Sequence, residues 1–270
     1  MVCIAAALIA AVLLGSGKPK KQTAKETRRT AVAGYIIRVG RIQIGMAKQV
    51  RAIDASYKKF ASSPQSLKAR VTTYRKAQQT LSDLRDELKL VVPPPDARKL
   101  HRLVVRLADE NVVMAGVVTS LAAYLPALSA AEAPLAPSIA RLRTGIRSSK
   151  TARRQAVAFE TYAAETGSVA SRIERITPPA DFAGARAAEL RHLQRLAAVA
   201  HQIADALRHK QPAQAQKRVA DLSKLEADTS VVRAQRVGAL AYNARLGKIA
   251  ETAKEIEVER RRLEKKVPAS

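Results

Sequence analysis

The amino-acid sequence predicts an all-α protein, an elongated multi-helix bundle of two related helical units with long first and last helices. Three observations carry this. Ala, Leu, Val, Arg and Lys dominate, Trp is absent, and only 11 of 270 residues are Gly; these are helix-forming proportions. Apolar residues recur at three- and four-residue steps, the period of one helix face. The 12 Pro cluster between these periodic runs, as befits residues that lack an amide donor and stop helices.

Met1–Gly17 stands apart. Val2–Leu14 contains no polar side chain, with Cys3 counted as apolar, and Gly15-Ser16-Gly17 leads into Lys18, Lys20 and Lys21. A run of this length fits the apolar core of a secretory signal, about 7–15 residues. It is short for a membrane span, which takes roughly 17–25. Small residues at 15 and 17 suit a signal-peptidase cut. The positive flank, however, follows the apolar core, where it would be retained on the cytoplasmic side. Either the start codon is assigned too late and a basic leader is missing, or this is a reverse anchor with the body in the cytoplasm. An ordinary buried N-terminal helix is the third reading. Export or extracytoplasmic anchoring is the expectation. Cys3 opens the apolar run rather than closing it, unlike a lipoprotein cysteine. A lone Cys excludes an intramolecular disulfide and leaves the compartment open.

The body, about 250 residues, suffices for one large or two smaller domains. In the first helix Val32, Tyr35, Val39, Ile42, Met46, Val50, Ile53, Tyr57 and Phe60 form one stripe, with Arg41, Lys48, Arg51 and Lys59 roughly opposite. Ser63-Pro64 reads as an N-cap with proline in the first turn. The second helix carries Leu67, Val71, Tyr74, Leu81, Leu84, Leu88 and Val91, and Pro93-Pro94-Pro95 stops it. Asp96 is placed to cap the third, whose stripe is Leu100, Val104, Leu107, Asn111, Met114, Val118, Leu121 and Leu125. Val112–Leu125 reads as a buried bundle helix in preference to a membrane span, ended by Pro126. Pro134 and Pro137 mark a connection. Helical pattern resumes at Ile139, Leu142 and Ile146, changes phase at Ser148-Ser149, and continues through Phe159, Tyr162, Thr166, Val169, Ile173 and Ile176. Pro178-Pro179 stops it, and Asp181 is placed to cap Phe182, Ala185, Leu193, Leu196, Ala200, Ile203 and Leu207. After Gln211-Pro212 one last long helix is expected through Val219, Leu222, Leu240, Leu246, Ile249, Ile256 and Leu263. Its polyampholytic end, with Glu257 one turn before Arg261, is expected to project from the core or pair with a partner.

Three landmarks recur in register. Pro93-Pro94-x-Asp96 and Pro178-Pro179-x-Asp181 stand 85 residues apart, while Pro126-Ala127/Pro212-Ala213 and Ser62-Ser63/Ser148-Ser149 stand 86 apart. This spacing suggests duplication of a helical unit. The expected divisions are a signal peptide or anchor over 1–17, a first helical unit over 18–137, and a second over 138–266 with the long C-terminal helix.

The stretch Leu88-Lys89-Leu90-Val91-Val92-Pro93-Pro94-Pro95-Asp96, echoed by Ile173-Glu174-Arg175-Ile176-Thr177-Pro178-Pro179-Ala180-Asp181, is similar to that of uncharacterised actinobacterial envelope proteins. These are often lipoprotein-like and join two helices by a Pro-Pro break. The resemblance covers mainly residues 64–246 and implies an exported helical protein, with no functional residues to carry over. The lipobox cysteine or terminal cysteine pair of many such proteins is absent here.

No catalytic constellation emerges. His101, His192, His201 and His209 lack paired metal-ligand spacing, and there is no Gly-rich phosphate loop or nucleophile elbow. Asp83-Asp86-Glu87 and Asp109-Glu110 lie on single amphipathic helices, where solvated faces are the plain reading. Asn111, on an apolar stripe, is expected to set helix register. The expectation is therefore no enzyme, no metal and no cofactor. The charge points to partners instead. Lys and Arg number 48 against 23 Asp and Glu, a formal +25, which draws a protein to polyanions. The first helix is the most lopsided, and Arg38, Arg41, Lys48, Arg51, Lys58 and Lys59 are the candidate binding residues. A merely solvated face is the competing reading. The function expected is a non-enzymatic exported or membrane-anchored envelope protein that binds anionic polymers, lipid headgroups or a helical partner. The alternatives are a basic nucleic-acid-binding protein of the cytoplasm, free or tethered to the membrane's cytoplasmic face, and a coiled-coil scaffold or homo-oligomer.

Overall fold

Helix α1 (Ala24–Ser62) opens with a reciprocal cap: the Glu26 amide donates to Thr23 Oγ1 at 3.3 Å, and the Thr23 amide donates to Glu26 Oε2 at 2.8 Å. Two orphan donors are satisfied by one Thr-x-x-Glu pattern. The structure, a computed structural model, describes the backbone of residues 23–62 and 67–266, and the side-chain surroundings of these except 57–62, 67 and 68. Met1–Gly17 and the Ser63-Pro64 cap lie outside the described residues, as do the side chains of Tyr57, Phe60 and Leu67. Among the described residues the chain is all α, with no strand. After α1 come α2 (Leu67–Lys89), α3 (Arg98–Glu132), α4 (Leu135–Ser148), α5 (Ala152–Glu174), α6 (Ala183–Arg208), α7 (Pro212–Glu226) and α8 (Ser230–Glu264).

The helices form two compact units. One takes the described residues up to Thr119 and from Ala244 onward; the other is Ser120–Asn243. The boundaries fall inside α3 and α8, so each helix serves both units. This differs from a division at Pro137, because residues 120–132 pack their apolar side chains, Leu128 and Ala131, with α4, α5 and α6.

In the first unit, the α1 stripe Val32, Tyr35, Val39, Ile42 and Met46 is buried against Leu81 and Leu88 of α2, Leu100 and Val104 of α3, and Ile256 and Leu263 of α8. Each fully buried leucine contributes roughly 2–3 kcal/mol. Gly45 lets α1 approach α2 closely, since a Cβ there would meet Leu84 Cδ1 at 3.3 Å. In the second unit, α5 packs on α4 and α6, and α6 also on α7. Phe159, Tyr162, Val169 and Ile173 face Leu193, Leu196 and Ile203, with Ala200 and Ala204 leaving room for close contact.

The two proline stops adopt one geometry. Pro94 (φ −62°, ψ 155°) and Pro179 (φ −58°, ψ 150°) are extended, and each leads into a 3₁₀ turn, Pro95–Ala97 or Ala180–Phe182. The turn closes with a 2.9 Å bond from the Ala97 amide to Pro94 O, or from Phe182 to Pro179 O. The preceding helices α2 and α5 are both 23 residues long. Asp96 and Asp181 sit inside these turns and do not cap: the N-cap positions are Pro94, Pro179 and, for α6, Phe182, none with a side-chain cap bond.

Five further expectations are corrected. Pro126 does not end α3, which runs on to Glu132. Proline removes one helix bond, while the burial of Tyr124 and Ala131 on either side of it holds the helix together. Val112–Leu125 is only partly buried: Met114, Ala115 and Tyr124 are buried while most of its other side chains are half-exposed, and within Pro95–Ser148 the apolar window, of mean hydropathy 1.8, is 17% buried. By length and composition alone this helix is apolar enough to cross a membrane. The pattern from Ser138 to Ile176 is two helices, α4 and α5, separated where Thr151 caps α5 by accepting from the Arg154 amide. The expected last helix is likewise two, α7 and α8, divided at 227–229. There Asp228 accepts from the Ser230 amide (2.8 Å) and hydroxyl (2.9 Å). The end of α8 does not project, because Thr252, Ile256, Glu259 and Leu263 are buried.

Helix α6 ends differently from α3. Lys210 takes φ 55°, and the Gln211 amide reaches Ala206 O at 2.8 Å, with Lys210 N to Leu207 O at 3.3 Å. This paired closure favours glycine at the left-handed residue. Lys210→Gly is expected to raise stability by about 0.5–1 kcal/mol, read as a higher urea midpoint. An unchanged or lower midpoint would contradict it.

Candidate functional site

At 100° per residue, the α1 core stripe Tyr35, Val39, Ile42 and Met46 lies opposite a second stripe, Ile37, Arg41, Ile44, Lys48 and Arg51. Burial of the first forces exposure of the second. Arg38, Arg41, Lys48 and Arg51 are all exposed, Arg38 at the stripe's edge. The side chains of Lys58 and Lys59 lie outside the described set. Arg51 Nε donates to the Ala47 carbonyl of its own helix at 3.3 Å. Among the described residues, none of these four cations has a carboxylate within ion-pair reach. The acidic residues of α1 are Glu26, spent in the N-terminal cap, and Asp54. No Asp or Glu occurs from Thr27 to Ile53.

The end of α8 is a solvated basic run that carries its own counter-charge. Arg260 meets Glu257 at 2.7 Å, Arg261 meets Glu257 at 3.0 Å, and Arg262 meets Glu259 at 2.5 Å. There the cations are neutralised within the helix. On α1 their repulsion is uncompensated, and like charges one turn apart disfavour a helix.

Sequence reasoning picked out the cations of this stripe and missed Ile37 and Ile44, which are 44% and 60% exposed. Their signal was the seven-residue spacing, out of phase with the core stripe.

Several other polar groups singled out by the sequence are occupied locally. Lys89 pairs with Asp109 at 2.9 Å, Arg106 with Glu110 at 3.1 Å, and Gln79 donates to Asp83 at 2.9 Å. Asn111 does not reach another helix to set register; it is half-buried, and its Nδ2 donates to Leu107 O of α3 at 2.9 Å. Tyr35 hydroxyl and His101 Nδ1 lie 3.1 Å apart, and burial holds the imidazole pKa below its usual value and raises the phenol's. His209 Nδ1 is 2.8 Å from Asp205 O, and His201 is exposed. Among the described residues no group of three or more His, Cys, Asp and Glu is placed to hold a metal. An open groove of about 600 Å³ between α6 and α7 mixes Arg195 and Lys224 with Asp221 and Asp228 over Val199 and Leu225. Its opposed charges cancel and favour no ligand class. The α1 face is thus a strongly single-signed surface without counter-charge among the described residues; exposed Arg143, Arg147, Lys150, Arg153 and Arg154 make a second basic surface, without the exposed isoleucines that stand beside the α1 cations.

No protein-family model, curated protein or solved structure matches this chain.

Proposed function

We propose that this protein is a non-enzymatic, membrane-anchored or exported helical bundle of the cell envelope that binds an anionic surface through the outer face of α1. The single observation behind this reading is that Arg38, Arg41, Lys48 and Arg51 are exposed with no neutralising carboxylate, whereas the arginines ending α8 are paired. An external anion would relieve that repulsion. The apolar run Val2–Leu14, close before α1 in sequence, supports the membrane as the place. The scarcity of aromatic side chains argues against stacking on single-stranded nucleic acid. The matching lengths of α2 and α5 and the common geometry of the two proline turns support duplication of a helical unit.

The test compares the full chain with an Arg41→Gln/Lys48→Gln/Arg51→Gln variant across a salt series. The probes are phosphatidylglycerol-containing vesicles and inorganic polyphosphate. Each cation near an anionic surface contributes about 1 kcal/mol, so affinity is expected to fall roughly tenfold or more, with a shallower salt dependence. Equal binding by both proteins defeats the proposal. Fusion of an alkaline-phosphatase reporter after Ser270 tests the compartment: an active reporter supports export, and an inactive one places the body on the cytoplasmic face.

A further inference from the structure

We infer that the partner of the α1 face is an anionic lipid bilayer, with Ile37 and Ile44 entering the headgroup region while Arg41, Lys48 and Arg51 hold lipid phosphates. This rests on the anion-binding reading above and narrows it. A phosphate polymer needs only the cations, and exposed isoleucines beside them gain nothing from it. A single exposed apolar side chain is unremarkable in a soluble protein. Here two stand seven residues apart on the stripe opposite the core, 44% and 60% exposed, with Arg41 between them. From Ile37 to Arg51 the stripe is about 21 Å long at 1.5 Å per residue, enough to lie along a membrane surface.

The side-chain lengths suit this placement. Arginine and lysine carry their charge on long stems that reach back to phosphates. The shorter isoleucines then sit at the boundary between headgroups and acyl chains, where an interfacial helix buries apolar surface. Cation attraction and apolar insertion act together, as stable membrane association requires two signals. The acid-free stretch from Thr27 to Ile53 keeps carboxylates off the phosphate surface.

The chain contains no tryptophan, so Ile44→Trp places a single emission reporter on this face of the full-length protein. The probes are vesicles of phosphatidylcholine with about one third phosphatidylglycerol, as a nominal anionic surface, and inorganic polyphosphate. Emission is expected to shift to the blue and to be quenched by brominated acyl chains on the vesicles, with neither change on polyphosphate. An Ile37→Gln/Ile44→Gln variant is expected to lose roughly tenfold in vesicle affinity and to bind polyphosphate like the parent. Both substitutions are at exposed positions, and far-UV circular dichroism confirms that the helices persist. Tryptophan emission reads this face directly even where Val2–Leu14 holds the chain on the vesicle. Unshifted emission on vesicles, or the same shift on polyphosphate, overturns the bilayer inference. If the triple cation variant still weakens polyphosphate binding, the anion-binding reading survives that result. If it binds both probes like the parent, the broader reading falls as well.

Discussion

Leu263→Ala is expected to lower the stability of the unit built on α1 and α2 by about 3 kcal/mol, within the range of leucine truncations in packed cores. Leu263 is completely buried, in one cluster with Leu88, Val104 and Ile256. Removing its side chain forfeits the transfer free energy of the lost methyl and methylene groups and leaves a cavity among helices that relax only partly. Val258→Ala is the control: Val258 is on the same helix, 69% exposed, and its truncation is expected to cost less than about 0.5 kcal/mol. Urea unfolding of the full chain, followed by helical signal, measures both. Since the chain forms two compact units, the transition is fitted with two steps where one does not describe it. A Leu263→Ala midpoint equal to that of Val258→Ala would show that the end of α8 is not held in this core.

That result bears on a segment whose composition hides its role. Thr252, Ile256, Glu259 and Leu263 recur at three- and four-residue steps and are all buried. Two of the four are polar, so the stripe looks broken and the helix end looks solvated. Glu259 is tolerated in the core because Arg262 and Lys99 reach it, at 2.5 and 3.6 Å. The Arg262 guanidinium, hydrogen-bonded to it, holds the Glu259 carboxyl below the usual range. Arg262 is a local partner one turn on in α8, but the Lys99 contact forms only once α3 and α8 are packed.

Elsewhere the legible parts were those where one rule acts alone. The α1 stripe and the run Phe159, Tyr162, Thr166, Val169 and Ile173 are buried as the helical period requires, since each helix turns one face to a core. The Pro-Pro stops were legible because a missing amide is a local fact. Pro126 was not, since tertiary burial on both sides keeps α3 intact. The α7–α8 break lacks a proline, and its signal is the Asp228-Thr229-Ser230 turn, legible in principle as a cap. At the candidate site, the cations of α1 were evident from charge and period. The lack of counter-charge from neighbouring helices, and the exposure of Ile37 and Ile44, needed the packed structure.

Glu189→Gln is expected to stabilise the second unit by about 4 kcal/mol at pH 8.5 and to change it little at pH 4.5. Glu189 of α6 is buried, 7% exposed, and its carboxyl hydrogen-bonds that of Glu132 at the end of α3. Desolvation, and then the hydrogen bond and repulsion from Glu132, push its pKa from 4.5 up to about 8. The nearest arginine on the same helix face, Arg186, is committed elsewhere, to the Ile173 and Glu174 carbonyls that end α5. A carboxyl whose folded pKa lies above its unfolded value favours the folded state most fully below the unfolded pKa. Above pH 4.5 the unfolded chain releases this proton while the folded chain keeps it, so stability falls as pH rises. The loss is complete once pH passes about 8, where the folded protein must also ionise the buried group. Glutamine keeps the size and a hydrogen-bond donor without the charge, so its stability should not fall across that window on this account. Urea midpoints of both proteins at half-unit steps of pH measure the difference directly. Parallel profiles for the parent and Glu189→Gln would show that Glu189 does not hold its proton in the folded protein, and that the carboxyl pair is solvated in solution.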